Sequence, residues 1–497
     1  LSQGELAEKK QVNFNTRCGW ILVLSTFLLL ICPLTLCALN FTDVTDAYGT
    51  GDRGHGMGAA FSDVDGDGDL DLYVSNKSGE NALYLNDGGG TFVKAIRNTG
   101  SRLDDAGMSM GSVFGDIDND GDQDLYIVKG GGHEIEANRL LLNEDGRFVD
   151  ITGRAGVGSR DFTYSAAFAD VDNDGYLDLY LANHGVGARN TLYRNQRDGT
   201  FVDITDSAGV GDRGWSWNAV FSDINGDGFQ DLYVVNGRYP SGEPNRLYQN
   251  RGDGTFIDVS RESGTDDANW GLGAVFADVD NDGDFDLFVT NHIGINRLYL
   301  NNGTGLFKDV SQLSGIAYAG RGKGSSFGDV DHDGDLDLYV SGTNLGNRLY
   351  LNDGKGVFTD VSDQHPGLMN KKVRTSGTVL ADVDNDGDLD LYLVNWGSED
   401  KLYLNGQNDR RFLKIRLKGS VSNADAVGAR VRVSDQGNLI GVRDLKTLSG
   451  FCTQPPLELH FGLPEEGVYR VDVDFPSGIT STGDYSSGQV VTIVEGR

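Results

Sequence analysis

Seven nine-residue stretches of this sequence repeat one arrangement of carboxylates. They read DVDGDGDLD from Asp63, DIDNDGDQD from Asp116, DVDNDGYLD from Asp170 and DINGDGFQD from Asp223. Three more follow: DVDNDGDFD from Asp278, DVDHDGDLD from Asp329 and DVDNDGDLD from Asp382. Oxygen ligands crowded into one short turn suit a hard cation, and calcium takes six to eight of them in a flexible shell. Positions 1, 3, 5 and 9 supply the side chains. In the first loop these are Asp63, Asp65, Asp67 and Asp71; in the second, Asp116, Asp118, Asp120 and Asp124. The third offers Asp170, Asp172, Asp174 and Asp178, and the fourth Asp223, Asn225, Asp227 and Asp231. The last three offer Asp278, Asp280, Asp282 and Asp286; Asp329, Asp331, Asp333 and Asp337; and Asp382, Asp384, Asp386 and Asp390. Position 7 varies (Asp69, Asp122, Tyr176, Phe229, Asp284, Asp335, Asp388), as a site that gives only its backbone carbonyl would. Position 6 is always glycine, which permits the sharp reversal that turns several side chains toward one point. The expected cofactor is Ca²⁺, about seven ions, one per repeat, with the fourth loop weakest because Asn225 removes a charge.

An EF-hand begins similarly but needs a bidentate glutamate at position 12 and flanking helices. Here position 12 is aliphatic throughout, for example Val74, Ile127 and Leu181, and the following residues alternate as a strand. The loops therefore join strands. Loop starts are 53, 54, 53, 55, 51 and 53 residues apart. Each unit contains four strand-like segments, of the types AAFSD, LDLYV, NALYL and TFVDIT, punctuated by Gly and Asn. The sequence predicts an all-β protein: a seven-bladed β-propeller over 40–408, followed by a small β domain over 409–497. The first FTDVT segment, at Phe41, precedes the first loop and is expected to help close the ring.

These units resemble the FG-GAP/VCBS class of calcium-binding propeller blades. Downstream, SNADAVGARVRV, LSGF, LELHFGL and VDFPSG resemble the ASPIC/UnbV domain. The pairing is similar to that of the cartilage acidic protein family, without its EGF-like extension. The resemblance implies an extracytoplasmic protein and no established chemistry.

Formal net charge is −32, and the seven loops hold 32 aspartates. A basic footprint for nucleic acid is missing from the propeller. Cys18, Cys32 and Cys37 cluster near the N-terminus and Cys452 stands alone, so no disulfide framework serves the propeller. Residues 19–39 carry no charge, follow Lys9, Lys10 and Arg17 in segment 1–18, and are long enough to span a bilayer. The charge bias places the main domains outside the cytoplasm, in the periplasm or cell exterior. An uncleaved transmembrane anchor and a cleaved signal peptide, with secretion, are both open readings. The run from Arg410 to Lys446 is basic, which fits either a solvated face or docking on an acidic surface.

Six and eight residues before each loop lie positions that do not repeat: His55/Met57, Met108/Met110, Phe162/Tyr164, Trp215/Trp217, Trp270/Leu272, Arg321/Lys323 and Arg374/Ser376. They are expected on the face opposite the calcium loops, with Tyr239, His133, His184, His292 and Trp396 from neighbouring loops. Phe162, Tyr164, Trp215, Trp217, Trp270, Arg321, Arg374 and Trp396 are the candidate ligand-face residues, for a protein or glycan partner. Packing of blade ends is the other reading of these aromatics. The expected function is a noncatalytic binding or adhesion module, membrane-anchored and calcium-stabilised. A structural subunit capping an envelope membrane complex is the alternative, and a polysaccharide-active enzyme is the third reading. No catalytic residues stand out.

Overall fold

Each repeat folds into an antiparallel sheet whose two inner strands are mostly buried, as Gly56–Ser62 and Asp71–Asn76 are along their whole length. A computed structural model describes residues 39–497 apart from 96–102, 104–105, 131–135, 241, 344 and 408. In the first blade the strands are Gly56–Ser62, Asp71–Asn76, Ala82–Asn86 and Phe92–Lys94. Among the described residues, seven four-stranded sheets have this form, the first six in sequential strand order. Later innermost strands begin at Ser109, Thr163, Ser216, Trp270, Gly322 and Arg374. The seventh blade takes its outermost strand, Thr42–Asp43, from the other end of the array, with Thr42 opposite Leu404 and Asp43 opposite Tyr403. That is the ring-completing role expected of FTDVT.

Polar rivets join each blade to the one before it. At or beside the end of each blade's third strand stands an asparagine whose Nδ2 donates to a carbonyl in the preceding blade's loop. Asn143 reaches Val64 O at 2.9 Å, Asn195 reaches Ile117 O at 2.8 Å, and Asn250 reaches Val171 O at 2.9 Å. Asn301, Asn352 and Asn405 continue the series to Ile224, Val279 and Val330. Asn86 of the first blade reaches Val383 O of the seventh at 2.8 Å, so the two ends of the array meet. Buried tyrosines of the second strands, among them Tyr126, Tyr180 and Tyr233, add bonds from their hydroxyls to carbonyls of the next interblade connection.

The C-terminal portion forms two facing sheets. One holds Phe412–Lys418 between Leu459–Gly462 and Gln489–Val494, the latter pairing parallel. The other contains Arg430–Asp435, Asn438–Asp444, Val468–Asp474 and Thr480–Ser486. Their inner faces share a core of Leu413, Ile415, Val431, Val433, Phe461 and Val471. Glu495 pins the chain's end. Burial opposes its charge, but donors from Ser477, Ser420, Val421 and Ser422 outweigh burial and hold the carboxyl at about 2.

The apolar segment up to residue 38, with Cys18, Cys32 and Cys37, and also His133, lie outside the described residues. No helix among the described residues is long and apolar enough to cross a membrane.

The rivets give a direct test. Asn250→Ala keeps the main-chain N–H on Asp231 but leaves the carbonyls of Val171 and Gln230 without their donor. It should cost about 3 kcal/mol, read by urea denaturation; a loss below about 0.5 kcal/mol would show that the rivets do not bind blade to blade.

Candidate metal centres and ligand cavity

Each acidic loop is folded around its own carboxylates. The position-1 aspartate accepts the N–H of the position-6 glycine: Gly68 to Asp63 at 3.0 Å, Gly121 to Asp116 at 2.9 Å, and so on to Gly387 on Asp382 at 3.0 Å. Those glycines have φ between 86° and 101°, where a side chain would be strained. Position 4 is also left-handed in every loop: Gly66, Asn119, Asn173, Gly226, Asn281, His332 and Asn385. Its trace in the sequence is a column of Gly and Asn with one His, which the carboxylate spacing alone does not single out. Asn119 and Asn173 use the position to donate to Gly175 O and Gly228 O of the next loop, at 2.9 and 3.0 Å.

The position-9 aspartate ties the loop to the sheet. One oxygen of Asp231 accepts Ile224 N–H at 3.2 Å and the other accepts Asn250 N–H at 2.7 Å. The same pair of bonds recurs at Asp71, Asp124, Asp178, Asp286, Asp337 and Asp390. Two N–H donors call for an ionised carboxylate, yet burial and neighbouring aspartates push it toward the neutral form. Asp71 is driven up to about 7, Asp231 to about 8, and Asp124 and Asp286 to about 9. Burial likewise raises Asp116, Asp170 and Asp278 to about 7 and Asp280 to about 6.

A divalent cation would remove this conflict, and the donor set fits one. Acidic oxygens converge within 4.8 Å in Asp63/Asp65/Asp71, Asp116/Asp118/Asp124, Asp170/Asp172/Asp178, Asp278/Asp280/Asp282 and Asp329/Asp331/Asp333. Oδ1 of Asp172, Asp278, Asp280, Asp331 and Asp382 is buried without a hydrogen-bond partner. Unpartnered buried carboxylate oxygens in an all-oxygen cluster are what a calcium ion would coordinate. In the fourth loop the Asn225 amide donates to Asp227 at 2.9 Å, an internal bond in place of a charge. Position-7 side chains turn to other tasks: Asp69 accepts from Asn385 and Asp335 from Asn281, Tyr176 lies under Arg197, and Phe229 packs over Gly252.

The C-terminal sheets sit on this acidic face, and the basic run divides its work. Lys414 Nζ lies 2.8 Å from Asp382 and 3.2 Å from Glu458, all three buried. Arg416 donates to Gly68 O at 2.9 Å, Arg430 to Gly283 O, Arg411 to His332 O at 2.9 Å, and His460 Nε2 to Gly387 O at 2.8 Å. Arg432 instead pairs with Asp474 within its own sheet. Both sequence readings of the basic run therefore apply, to different residues.

The segment 447–454 leaves those sheets and fills the centre of the ring. Thr447 bonds the backbone of Phe168, Gly450 bonds Ala274 and Asn218, and Gln454 bonds Ala59, Phe61 and Phe114. Cys452 is buried with Sγ 3.3 Å from Tyr164 O, and burial pushes its thiol up to about 12. The channel wall makes room: a Cβ on Gly58 would stand 2.1 Å from Cys452 O.

Phe451, at the tip, floors a cavity of about 320 Å³ on the opposite face. Its walls include Tyr164, Trp217, Trp270, Arg321, Arg374 and Trp396, six of the eight ligand-face candidates. Phe162 stands behind Tyr164 at 5.2 Å between ring centroids, and Trp215 packs on His184 at 4.8 Å. His184 and His292 pack among these aromatics, and His55 packs on Trp396. Tyr239 is exposed beside Trp270. Sequence reasoning gave Lys77, Thr343 and above all Phe451 no place on this face; Phe451 entered only within the LSGF stretch of the domain resemblance.

Two family models match the repeats and the C-terminal domain. The FG-GAP-like repeat model matches residues 63–127, 128–181, 170–234, 223–289, 279–340 and 335–393, and the ASPIC and UnbV model matches 419–497. Cartilage acidic protein 1 of Xenopus tropicalis is 25% identical over 503 residues, covering 92% of this chain and 76% of that protein. Cartilage acidic protein 1 of Homo sapiens is 26% identical over 509 residues, covering 92% and 75%. A crystal structure of BBS1N in complex with ARL6DN, soaked with lead, aligns with a TM-score of 0.45 at 9% identity, over 74% of this chain and 98% of that one.

Truncating the plug tests its role. Phe451→Ala should cost about 3–5 kcal/mol in denaturant unfolding and shift tryptophan emission to the red, as Trp217 loses its cover 6.4 Å away. Unchanged stability and emission would show that the plug does not seal the channel. By its repeats the chain belongs to the FG-GAP-like repeat family, and it carries an ASPIC and UnbV domain at its C-terminal end.

Proposed function

We propose that this protein is a noncatalytic, calcium-stabilised binding module that works outside the cytoplasm, held at a membrane by its N-terminal apolar segment. Its partner, a protein or a glycan, engages the cavity face of the propeller. The observation that carries the reading is the division of the ring into two unlike faces. One face presents loops whose buried carboxylates fit cations, and the C-terminal sheets cover it. The other presents a cavity with aromatic walls, closed from behind by Phe451. Catalysis finds little support, because the carboxylates that could act as acid and base are bound into the loops. Lys9, Lys10 and Arg17 before the apolar segment, with Asp43 and Asp46 after it, support an outward placement of the main domains. Similarity to proteins named for cartilage supports an extracellular setting.

Calcium would supply the charge that lets the loop aspartates stay ionised while buried. Binding only to the folded state stabilises it by mass action. Chelation should therefore lower the melting temperature by on the order of 10 °C, with recovery on adding calcium. An unchanged melting temperature after verified metal removal sinks the calcium part of the reading.

The binding part has its own test. Trp217→Ala combined with Trp270→Ala should weaken retention of partners on the immobilised full chain by about tenfold or more. The calcium-dependent melting shift should stay. Retention equal to that of the parent protein would remove the cavity face from the function.

A further inference from the structure

The cavity holds an imbalance of hydrogen-bonding groups that narrows its ligand. Among the described residues its walls include no Asp or Glu, in a chain whose net charge is −32. They do include Lys77, Arg321, Lys323 and Arg374. Lys323 donates to Ser376 Oγ at 3.0 Å and otherwise faces the rings of Phe451 and Trp396, at 4.8 and 5.6 Å. Burial, with Lys77 and Arg374 close by, pulls its ammonium down to about 8. An incoming anion would relieve that cost.

Further polar atoms at the wall lack partners. Trp270 Nε1, Thr343 Oγ1 and His292 Nδ1 are buried and make no hydrogen bond. An indole N–H can only donate. The N–H groups of Lys77, Arg321 and Arg374 call for a ligand with several acceptor oxygens. Trp217 and Trp270, 6.0 Å apart between centroids and tilted by 48°, call for a ligand with an apolar face as well. Sulfate or phosphate brings charge and oxygens but no apolar face. An aromatic acid brings the face and one carboxylate but too few oxygens for the remaining donors. A sugar ring bearing a carboxylate brings all three, and one or two such units match a cavity of about 320 Å³.

We propose that the cavity binds an acidic sugar, a uronate or sialate unit of a glycan, with its carboxylate among Arg321, Lys323 and Arg374 and its ring on Trp217 and Trp270. This rests on the reading that the cavity face is the partner site, and it names the partner's chemistry.

The test uses the full chain with calcium present. Tryptophan fluorescence and titration calorimetry follow binding of glucuronate oligosaccharides and of sialyllactose, which separate the two sugar acids. Lactose serves as the neutral control, and sulfate and benzoate serve as controls for charge alone and for an aromatic acid. At least one sugar acid should bind, about tenfold or more tighter than lactose and the other controls, and more weakly as salt rises. Arg374→Ala, at an exposed side chain, and Lys323→Met should each weaken it about tenfold or more. Should Lys323→Met melt early, the outcome rests on Arg374→Ala alone. The proposal is overturned if lactose binds equally well, if sulfate or benzoate competes equally well, or if Arg374→Ala changes nothing. If no sugar binds while the tryptophan substitutions still abolish partner retention, the sugar is wrong and the cavity face stands. If those substitutions leave retention intact, both fall.

Discussion

The structure depends on an aspartate that must be charged and buried at once. At position 9 of each loop its two oxygens collect N–H groups from the loop and from the third strand, as Asp231 does with Ile224 and Asn250. The asparagine that supplies the second donor turns its own side chain to the preceding blade. One carboxylate thus fixes the loop, the sheet and the seam between sheets. Burial raises the cost of its charge, and the other aspartates add repulsion. A bound cation would turn this crowd of like charges from a liability into the centre of the blade.

The C-terminal domain answers the same electrostatic problem from outside. Lys414 and Arg416 approach the loops as counter-ions or donors to loop carbonyls, while Asp425 accepts Asp116 N–H at 2.8 Å. None of these side chains replaces an all-oxygen shell. An ammonium carries one charge and three donors, whereas a loop offers several convergent acceptors and needs two charges. The domain's second contribution is steric. Segment 447–454 fills a channel lined by small residues such as Gly58, Ala59 and Gly377, and so turns a tunnel into a cup.

Much of this was legible in the sequence because repetition exposes constraint. The loop spacing predicts blade number, the alternation of LDLYV predicts strands, and FTDVT ahead of the first loop predicts a part in closing the ring, which the structure makes the outermost strand of the seventh blade. The non-repeating positions six and eight residues before each loop predict one face, and the structure gathers most of them there. Contacts between unlike segments were not legible. Phe451 lies 234 residues from Trp217 in the chain, and no period links them. The split of the basic run between loop contacts and Arg432–Asp474 depends on which way each strand faces, which alternation alone does not orient.

The two faces differ in how they tolerate change, and this follows from their chemistry. On the loop face every position answers to a shared point in space, so Gly at 6 and Gly, Asn or His at 4 are required by backbone sign. On the cavity face, among the described residues, six of the seven blades contribute from one to three side chains each, on a backbone already fixed by the sheet. There Met57, Tyr164, Trp217, Leu272 and Lys323 occupy equivalent places with unrelated chemistry. A scaffold held rigid from one side leaves the other free to vary without loss of the fold, and seven equivalent places around a plugged axis can be set independently. A ligand there would read the departures from the repeat, where a net-acidic chain has collected cations and aromatic rings.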